Sequence, residues 1–115
     1  MSSLREQIKQ LARQYAPDFI EVRHHLHAHP ELSYQEYETS AFVQKRLQEL
    51  DIPFRVIAQT GVTGIIEGKN PGKKIIALRA DMDALPIQEA NNIHYKCTRD
   101  GVMHACGHDV HTTCL

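Results

Sequence analysis

Residues 103–111 of this chain bring together side chains of the kinds that bind metal ions. The run Met-His-Ala-Cys-Gly-His-Asp-Val-His holds three histidines, a cysteine and an aspartate within nine positions. Thiolate and imidazole are the ligands that zinc and similar divalent cations prefer. In an extended loop, Cys106 and His108 would project to one side of the backbone, and Gly107 would let the chain approach an ion closely. The run therefore predicts a metal site.

Two upstream segments make this prediction more specific. They are Leu-Arg-Ala-Asp-Met-Asp-Ala-Leu-Pro at residues 78–86 and Leu-His-Ala-His-Pro-Glu-Leu-Ser at residues 26–33. In this order, the three segments resemble the N-terminal part of metal-dependent amidohydrolases that cleave N-acyl amino acids. That family includes bacterial hippurate hydrolases, aminoacylase-like carboxypeptidases and plant auxin-conjugate hydrolases. The resemblance runs from Phe19 to the last residue, and three segments at plausible separations are stronger support than any one alone.

The resemblance implies a two-metal hydrolase in which Cys106 and His108 are metal ligands. Two divalent cations, manganese or zinc with cobalt as a further option, would activate a water and polarise the amide carbonyl of a small N-acyl amino acid. A glutamate base would carry the proton to the leaving amine. By the resemblance, that glutamate, a glutamate ligand and two histidine ligands lie beyond Leu115. We therefore expect no firm catalytic residue in this chain and no activity from it alone.

Other interpretations of the same residues remain open. A free cysteine such as Cys106 is most often a small buried apolar side chain. A cysteine hydrolase would use Cys106 as nucleophile with His104 or His108 as base, but such partners usually lie far apart in sequence. A non-catalytic metal-binding module is a third alternative. The resemblance marks neither His104 nor His111 as a ligand, so each is expected to be a histidine with satisfied hydrogen bonds.

Two aspartates follow the apolar run that ends at Leu78. Asp81 and Asp83 could act as paired carboxylates, or they could cap or turn the end of a strand. In metallopeptidases related to the family, the matching strand end carries His-x-Asp, where the histidine binds metal and the aspartate orients it. Arg79 stands at the histidine position here, and a guanidinium cannot be a ligand. We infer that His108 replaces that ligand, and that Asp81 either orients a loop ligand or pairs with Arg79.

Four further histidines lie near the N-terminus, at His24, His25, His27 and His29. His25 and His29 have the i, i+4 spacing that could clamp a metal on a helix. The pair has no carboxylate or thiol close in sequence, so a solvated or packing role is expected. By the resemblance, residues 30–32 fix how the first helices meet the catalytic core.

The N-terminal half of the chain is predicted to be helical. Apolar residues recur at helical spacing between residues 4 and 26, and Pro17 between them predicts two short helices or one broken helix, ended by Pro30. Ser33 and Glu36 have the spacing of a capping box. They predict a second helix whose apolar face lies on a sheet and which residues 51–53 end.

Short apolar runs at residues 54–57, 64–67 and 74–78 predict strands, with a hairpin turn at residues 70–72 between the last two. The run at 74–78 is nearly all apolar, as in a central strand covered on both faces. Asp109 is expected to cap a final helix. The predicted fold is α/β, with N-terminal helices followed by a mixed, largely parallel sheet, as an incomplete part of a two-metal metallohydrolase catalytic domain.

Composition excludes several classes of function. The 13 basic and 14 acidic residues give a net charge of −1, which offers no electrostatic footprint for nucleic acid or for an anionic membrane. The N-terminus lacks a signal-peptide core, and no apolar run approaches membrane-spanning length. Three cysteines without a Cys-x-x-Cys pair argue against a disulfide framework. A cytoplasmic protein is expected.

The length of 115 residues suits one modest domain, whereas members of the family are several times longer. The last residues lie in an expected helix that no glycine, proline or basic turn ends. We therefore expect residues 1–115 to be the N-terminal portion of the catalytic, metal-binding domain. The remainder of that domain and a second domain, which could mediate homo-oligomer formation, are expected to be absent from this chain.

Overall fold

The computed structural model describes residues 2–115, which form three helices and one two-stranded sheet. The elements follow in the order α1 (Leu4–Ala28), α2 (Tyr37–Glu49), β1 (Phe54–Ile57), β2 (Gly61–Gly64) and α3 (His108–Cys114). Helices and strands are both present, as the predicted α/β class requires. None of the helices in residues 2–115 combines the length and the apolar character needed to cross a membrane.

Helix α1 is continuous through Pro17, so the predicted break at that residue is wrong. A proline inside a helix removes one backbone hydrogen bond, and the flanking turns of this 25-residue helix persist around it. Its first turn is fixed by a capping box: the Ser3 hydroxyl accepts the Glu6 N–H, and the Glu6 carboxylate accepts the Ser3 N–H at 2.8 Å. The C-terminal half of α1 packs on α3.

Helix α2 begins at Tyr37, and backbone N–H groups of its first turn donate to a side chain outside the helix. The buried Glu31 carboxylate accepts the backbone N–H groups of Glu38 at 3.1 Å and Thr39 at 2.6 Å. The predicted capping box at Ser33 is wrong, because the Ser33 hydroxyl donates to Asp83 instead. The Glu31 side chain thereby fixes the connection between α1 and α2.

The sheet of residues 2–115 is an antiparallel hairpin rather than the largely parallel sheet that was predicted. Strands β1 and β2 pair Phe54 with Gly64 and Ile57 with Gly61, and Ala58 and Gln59 turn between them with positive φ. A Cβ on Gly61 would lie 2.8 Å from the Ile57 carbonyl oxygen, so only glycine fits there. The hairpin turn, at residues 58–60, therefore lies upstream of the predicted one at residues 70–72.

The run at residues 74–78 forms no strand in the structure. Ile75 is 95% exposed and Ile76 is 83% exposed, so the predicted buried central strand is wrong for this chain. A strand is defined by pairing, and no backbone group of residues 2–115 pairs with this run. The apolar pattern describes side chains suited to burial, but residues 2–115 supply no layer to cover them.

The interior that does form is mostly polar. Leu26, Pro30 and Ala84 are the buried apolar residues of the described part. The buried polar set is larger and comprises His27, Glu31, Glu36, Thr39, Ser40, Thr60, Glu89, His104 and Asp109. Buried charges are costly unless they are paired, so the arrangement of these groups determines how the elements meet.

Three of these groups, together with the partly exposed Arg23, form what we call the buried ion cluster: Arg23, His27, Glu89 and Asp109. The His27 ring lies between the two carboxylates, with Nδ1 2.9 Å from Asp109 Oδ2 and Nε2 2.9 Å from Glu89 Oε1. Arg23 Nε donates to Asp109 Oδ2 at 3.1 Å. The cluster joins α1 to α3 and to the long segment between β2 and α3.

Glu89 is held in its ionised form by its neighbours. Burial opposes ionisation, but hydrogen bonds from the Cys97 backbone N–H at 2.7 Å and from the His27 ring outweigh it. Together with Asn91, they lower the pKa of Glu89 to about 2. Because this value is below the ordinary 4.5, the folded state binds the Glu89 proton less tightly than the unfolded state does.

This difference predicts an acid-dependent loss of stability. The contribution of Glu89 is fully present above about pH 4.5 and is lost as the pH falls toward about 2. We expect Glu89→Gln to make the free energy of unfolding depend less steeply on pH between these values. Urea unfolding at a series of pH values measures that slope. Glu67→Gln, at an exposed glutamate, is the control and should keep the wild-type slope; an unchanged slope in Glu89→Gln would contradict the assignment.

Candidate metal centre

The Cys-Gly-His loop is fixed at both of its ends. Before it, Met103 pairs with Leu85 through two backbone hydrogen bonds of 2.9 and 3.0 Å. After it, α3 begins at His108, with Gly107 as the N-cap residue. Residues 104–107 therefore cross a short gap between a paired backbone and a helix, which limits the conformations that the loop can adopt.

Gly107 takes the left-handed conformation that the loop requires, with φ of 82°. This conformation is costly for residues that carry a Cβ. A Cβ at this position would meet the His111 ring at 3.6 Å, an ordinary contact, so the constraint on residue 107 is conformational rather than steric. The predicted role of Gly107 in turning the loop agrees with this geometry.

His108 is oriented through one ring nitrogen. Its Nδ1 lies 2.9 Å from the Asp83 carboxylate oxygen Oδ1 and 2.9 Å from the Asp83 carbonyl oxygen. Both partners are acceptors, so Nδ1 carries the proton and the neutral ring keeps a lone pair on Nε2. The other Asp83 carboxylate oxygen accepts the Ser33 hydroxyl at 3.0 Å. A carboxylate that fixes one imidazole nitrogen while the other is free is the usual environment of a histidine metal ligand.

Cys106 carries an exposed thiol two residues before His108. Cys97 and Cys114 are also free, which agrees with the prediction that the chain has no disulfide framework. The exposure of Cys106 differs from the buried apolar role that is most common for a free cysteine. The thiol is therefore available to a ligand from solvent or from another part of the protein.

His104 lies in the interior without hydrogen-bond partners. The residue is 5% exposed, and within residues 2–115 neither ring nitrogen has a donor or acceptor. Burial lowers the pKa of His104, which favours its neutral form. The prediction that His104 has satisfied hydrogen bonds is wrong for this part of the protein. The ring of His111 instead packs beneath Gly107, 6.1 Å from the His108 ring between centroids.

Asp81 and Asp83 have different partners. The Asp81 carboxylate pairs with Arg79, at 3.0 Å from Nε and 2.9 Å from Nη2, on the exposed side of the chain. Of the two roles predicted for Asp81, the structure shows the pairing with Arg79. The carboxylate that contacts His108 is Asp83. The sequence could not separate them, because residues two apart in an extended segment point to the same side.

Asp109 connects the loop to the buried ion cluster. It was predicted to cap the last helix, but α3 begins one residue earlier and Asp109 lies in its first turn. Its side chain is 1% exposed and binds Arg23 and His27 on α1. The hydrogen bond from His27 and the nearby His104 and Arg23 outweigh the effect of burial and lower the pKa of Asp109. His108 thus follows a short loop on one side and precedes a tightly held carboxylate on the other.

The donor set fits a divalent cation in part. His108 offers a free Nε2 and Cys106 offers an exposed thiol, and zinc accepts both kinds of donor, alone or together with carboxylates. Among residues 2–115, however, no three or more His, Cys, Asp and Glu side chains are grouped so that they could hold an ion. The His25 and His29 rings pack against each other at 4.5 Å, and His25 stacks on Phe42. A complete site therefore needs ligands from outside this part of the chain.

Comparison with known proteins gives a consistent assignment. The family model described as peptidase family M20/M25/M40 matches residues 77–115, which include Asp83, Cys106 and His108. The chain is 48% identical over 116 aligned residues to an N-acyl-L-amino acid amidohydrolase of Geobacillus stearothermophilus, covering 96% of this chain and 30% of that protein. The chain spans 24 to 30% of the length of the curated relatives it matches.

Two solved structures show the same fold. The crystal structure of Bacillus subtilis YxeP, a dinuclear metal binding peptidase from the M20 family, superposes with a TM-score of 0.83 at 45% identity, covering 88% of this chain and 28% of that one. A structure from methicillin-resistant Staphylococcus aureus superposes with a TM-score of 0.89 at 37% identity, covering 96% of this chain and 29% of that one. These matches confirm the predicted α/β fold class and the predicted family. Residues 77–115 match the model of peptidase family M20/M25/M40, and 88% of the chain superposes on a member of that family.

Proposed function

We propose that the full-length protein containing this chain is a metal-dependent hydrolase that cleaves the amide bond of N-acyl amino acids. In this proposal residues 1–115 are the N-terminal part of the catalytic domain and supply two metal ligands, Cys106 and His108. The substrate is a small molecule rather than a nucleic acid or a membrane. The remaining ligands and the glutamate that handles the proton come from the rest of the protein.

The observation that carries the proposal is the environment of His108. Asp83 holds Nδ1 through two acceptor oxygens at 2.9 Å, and Ser33 holds Asp83. This chain of contacts fixes the tautomer and the ring orientation before any ion is bound. An ordinary surface histidine needs no such support, whereas a ligand gains basicity and precision from it.

Divalent cations at this site would supply Lewis acidity toward the amide carbonyl and toward the attacking water. The residues of this chain have three tasks. His108 presents the Nε2 lone pair, Cys106 presents an anionic sulfur, and Asp83 keeps the His108 proton on Nδ1. Gly107 allows the backbone between the two ligands to turn.

The number of ions and the substrate class are supported by relatives. The Bacillus subtilis relative is described as a dinuclear metal binding peptidase, and the Geobacillus stearothermophilus relative as an N-acyl-L-amino acid amidohydrolase. By analogy we propose two ions, manganese or zinc, with cobalt as a functional substitute. Cys106 and His108 are donors that these metals accept.

A cysteine hydrolase is the competing possibility, since Asp83 and His108 could also orient a base for a thiol nucleophile. Within residues 2–115 no hydrogen bond joins the Cys106 thiol to His104 or His108. Asp83 and His108 alone fit both functions, so the decisive test is whether the sulfur acts as a ligand or as a nucleophile.

Removal of metal should abolish hydrolysis of an N-acyl amino acid by the full-length protein, and manganese, zinc or cobalt should restore it.

Cys106→Ala should lower the bound-metal content, because it removes an anionic ligand. Cys106→Asp keeps an anionic ligand and should retain measurable activity. Metal content by elemental analysis and turnover of an N-acyl amino acid give both readouts. Cys114→Ala, at an exposed free cysteine, is the matched control and should keep wild-type metal content. Full activity after exhaustive chelation, or a dead Cys106→Asp enzyme that retains its metal, would favour the thiol nucleophile.

Asp83 and Asp81 form a matched pair for testing the orientation of His108. Asp83→Ala removes the acceptor of the His108 N–H, and we expect a 10- to 100-fold weaker metal affinity, roughly the cost of losing such a partner. Asp81→Ala removes only the exposed pairing with Arg79 and should leave the affinity unchanged. Competition titration with a chromogenic chelator measures both. Equal effects of the two substitutions would show that Asp83 has no special role.

A further inference from the structure

His27 occupies an unusual position between two carboxylates. The residue is 3% exposed, and each ring nitrogen lies 2.9 Å from a carboxylate oxygen, of Asp109 on one side and Glu89 on the other. Neither carboxylate is on α1: Glu89 belongs to the segment before the Cys-Gly-His loop, and Asp109 to α3. One side chain thus bridges three separate parts of the chain.

The hydrogen bonds call for a proton on both nitrogens of His27. An ionised carboxylate only accepts hydrogen bonds, and the Cys97 N–H and Arg23 Nε already donate to Glu89 and Asp109, respectively. A neutral imidazole could donate to one of them and would turn a lone pair toward the other. The imidazolium form donates to both.

Charge balance leads to the same protonation state. Glu89 and Asp109 contribute two negative charges to the buried ion cluster, and Arg23 contributes one positive charge. With a neutral ring at His27 the cluster would carry a net charge of −1 in the interior. An uncompensated buried charge destabilises the folded state, whereas a positive ring makes the cluster neutral.

This cluster holds the residue directly after the proposed ligand His108. Asp109 Oδ2 accepts both Arg23 Nε and His27 Nδ1, which come from consecutive turns of α1. The start of α3 is therefore tied to α1 by two cationic donors. The His108 ring is tied on its other side to Asp83.

We propose that His27, as an imidazolium, is a positioning residue for the metal centre: by holding Asp109 and Glu89 together, it sets where α3 begins and so where His108 lies relative to Cys106. This inference rests on the proposed function, because it takes Cys106 and His108 as metal ligands. It assigns to His27 a role that requires no contact with an ion or with a substrate.

The test uses cobalt(II) binding to the full-length protein. A thiolate-to-cobalt absorption band that Cys106→Ala removes would establish the loop as a metal site. His27→Gln should then weaken cobalt affinity about 10- to 100-fold and shift the visible absorption bands, because the glutamine amide is uncharged and has a carbonyl oxygen in place of the second donor nitrogen. His25→Gln makes the same change two residues earlier on α1, at an exposed ring, and should leave both properties unchanged.

Each outcome has a distinct meaning. If the wild-type protein lacks the thiolate band, the proposed function fails. If the band is present and folded His27→Gln binds cobalt with wild-type affinity and spectrum, only the positioning role fails, even where the melting temperature falls. Should His27→Gln not fold, Glu89→Gln keeps the ring and removes one anion at a residue that touches neither Cys106 nor His108. A cobalt spectrum and affinity unchanged by Glu89→Gln would likewise overturn the proposal.

A neutron crystal structure of the wild-type protein tests the charge of His27 directly. Deuterium on both Nδ1 and Nε2 is expected. Deuterium on only one nitrogen would overturn the inference, because a neutral ring cannot hold both carboxylates.

Discussion

One buried histidine, clamped between two carboxylates, holds the main parts of this chain together. His27 on α1 contacts Glu89 in the long connecting segment and Asp109 on α3, each at 2.9 Å. Few apolar side chains are buried in residues 2–115, so these ionic hydrogen bonds do much of what a hydrophobic core would do elsewhere. The dielectric constant is lower in a protein interior than in water, which strengthens these hydrogen bonds and raises the free-energy cost of leaving any of these groups unpaired. Few other arrangements of α1, the connecting segment and α3 would keep all of these groups paired.

The geometry of the Cys-Gly-His loop follows from that arrangement. Asp109 is anchored to α1, Met103 is paired with Leu85, and the four residues between the bridge and α3 must span that distance. Gly107 makes the turn possible, and Asp83 then selects the tautomer of His108. The two anchors of the loop, the turn at Gly107 and the contact with Asp83 together fix the position of His108 Nε2. Such convergence favours binding of an ion by groups that are already in place, which lowers the ordering cost of binding.

The sequence predicted some of this architecture and missed the rest for physical reasons. The periodicity of α2 and the end of that helix before residue 51 were predicted correctly, because both are local properties. The Ser-x-x-Glu rule identified Ser33, whereas the working capping box is at Ser3, with the same pattern. The two differ only in tertiary context, since the Ser33 hydroxyl is used by Asp83. The partners of His27 lie 62 and 82 positions away, a separation that no local pattern reports. The run at 74–78 was predicted from its side chains, but strand formation depends on neighbours that residues 2–115 do not provide.

We propose that Cys106 and His108, both in the Cys-Gly-His loop, are ligands of divalent metal ions and that His108 coordinates through Nε2. Anomalous X-ray scattering from crystals of the full-length protein loaded with zinc tests it most directly. We expect a zinc ion about 2.3 Å from the Cys106 sulfur and a zinc ion about 2.0–2.1 Å from His108 Nε2. We expect His108 Nδ1 to remain hydrogen-bonded to Asp83. Ions bound away from both residues, or coordination of His108 through Nδ1, would contradict it.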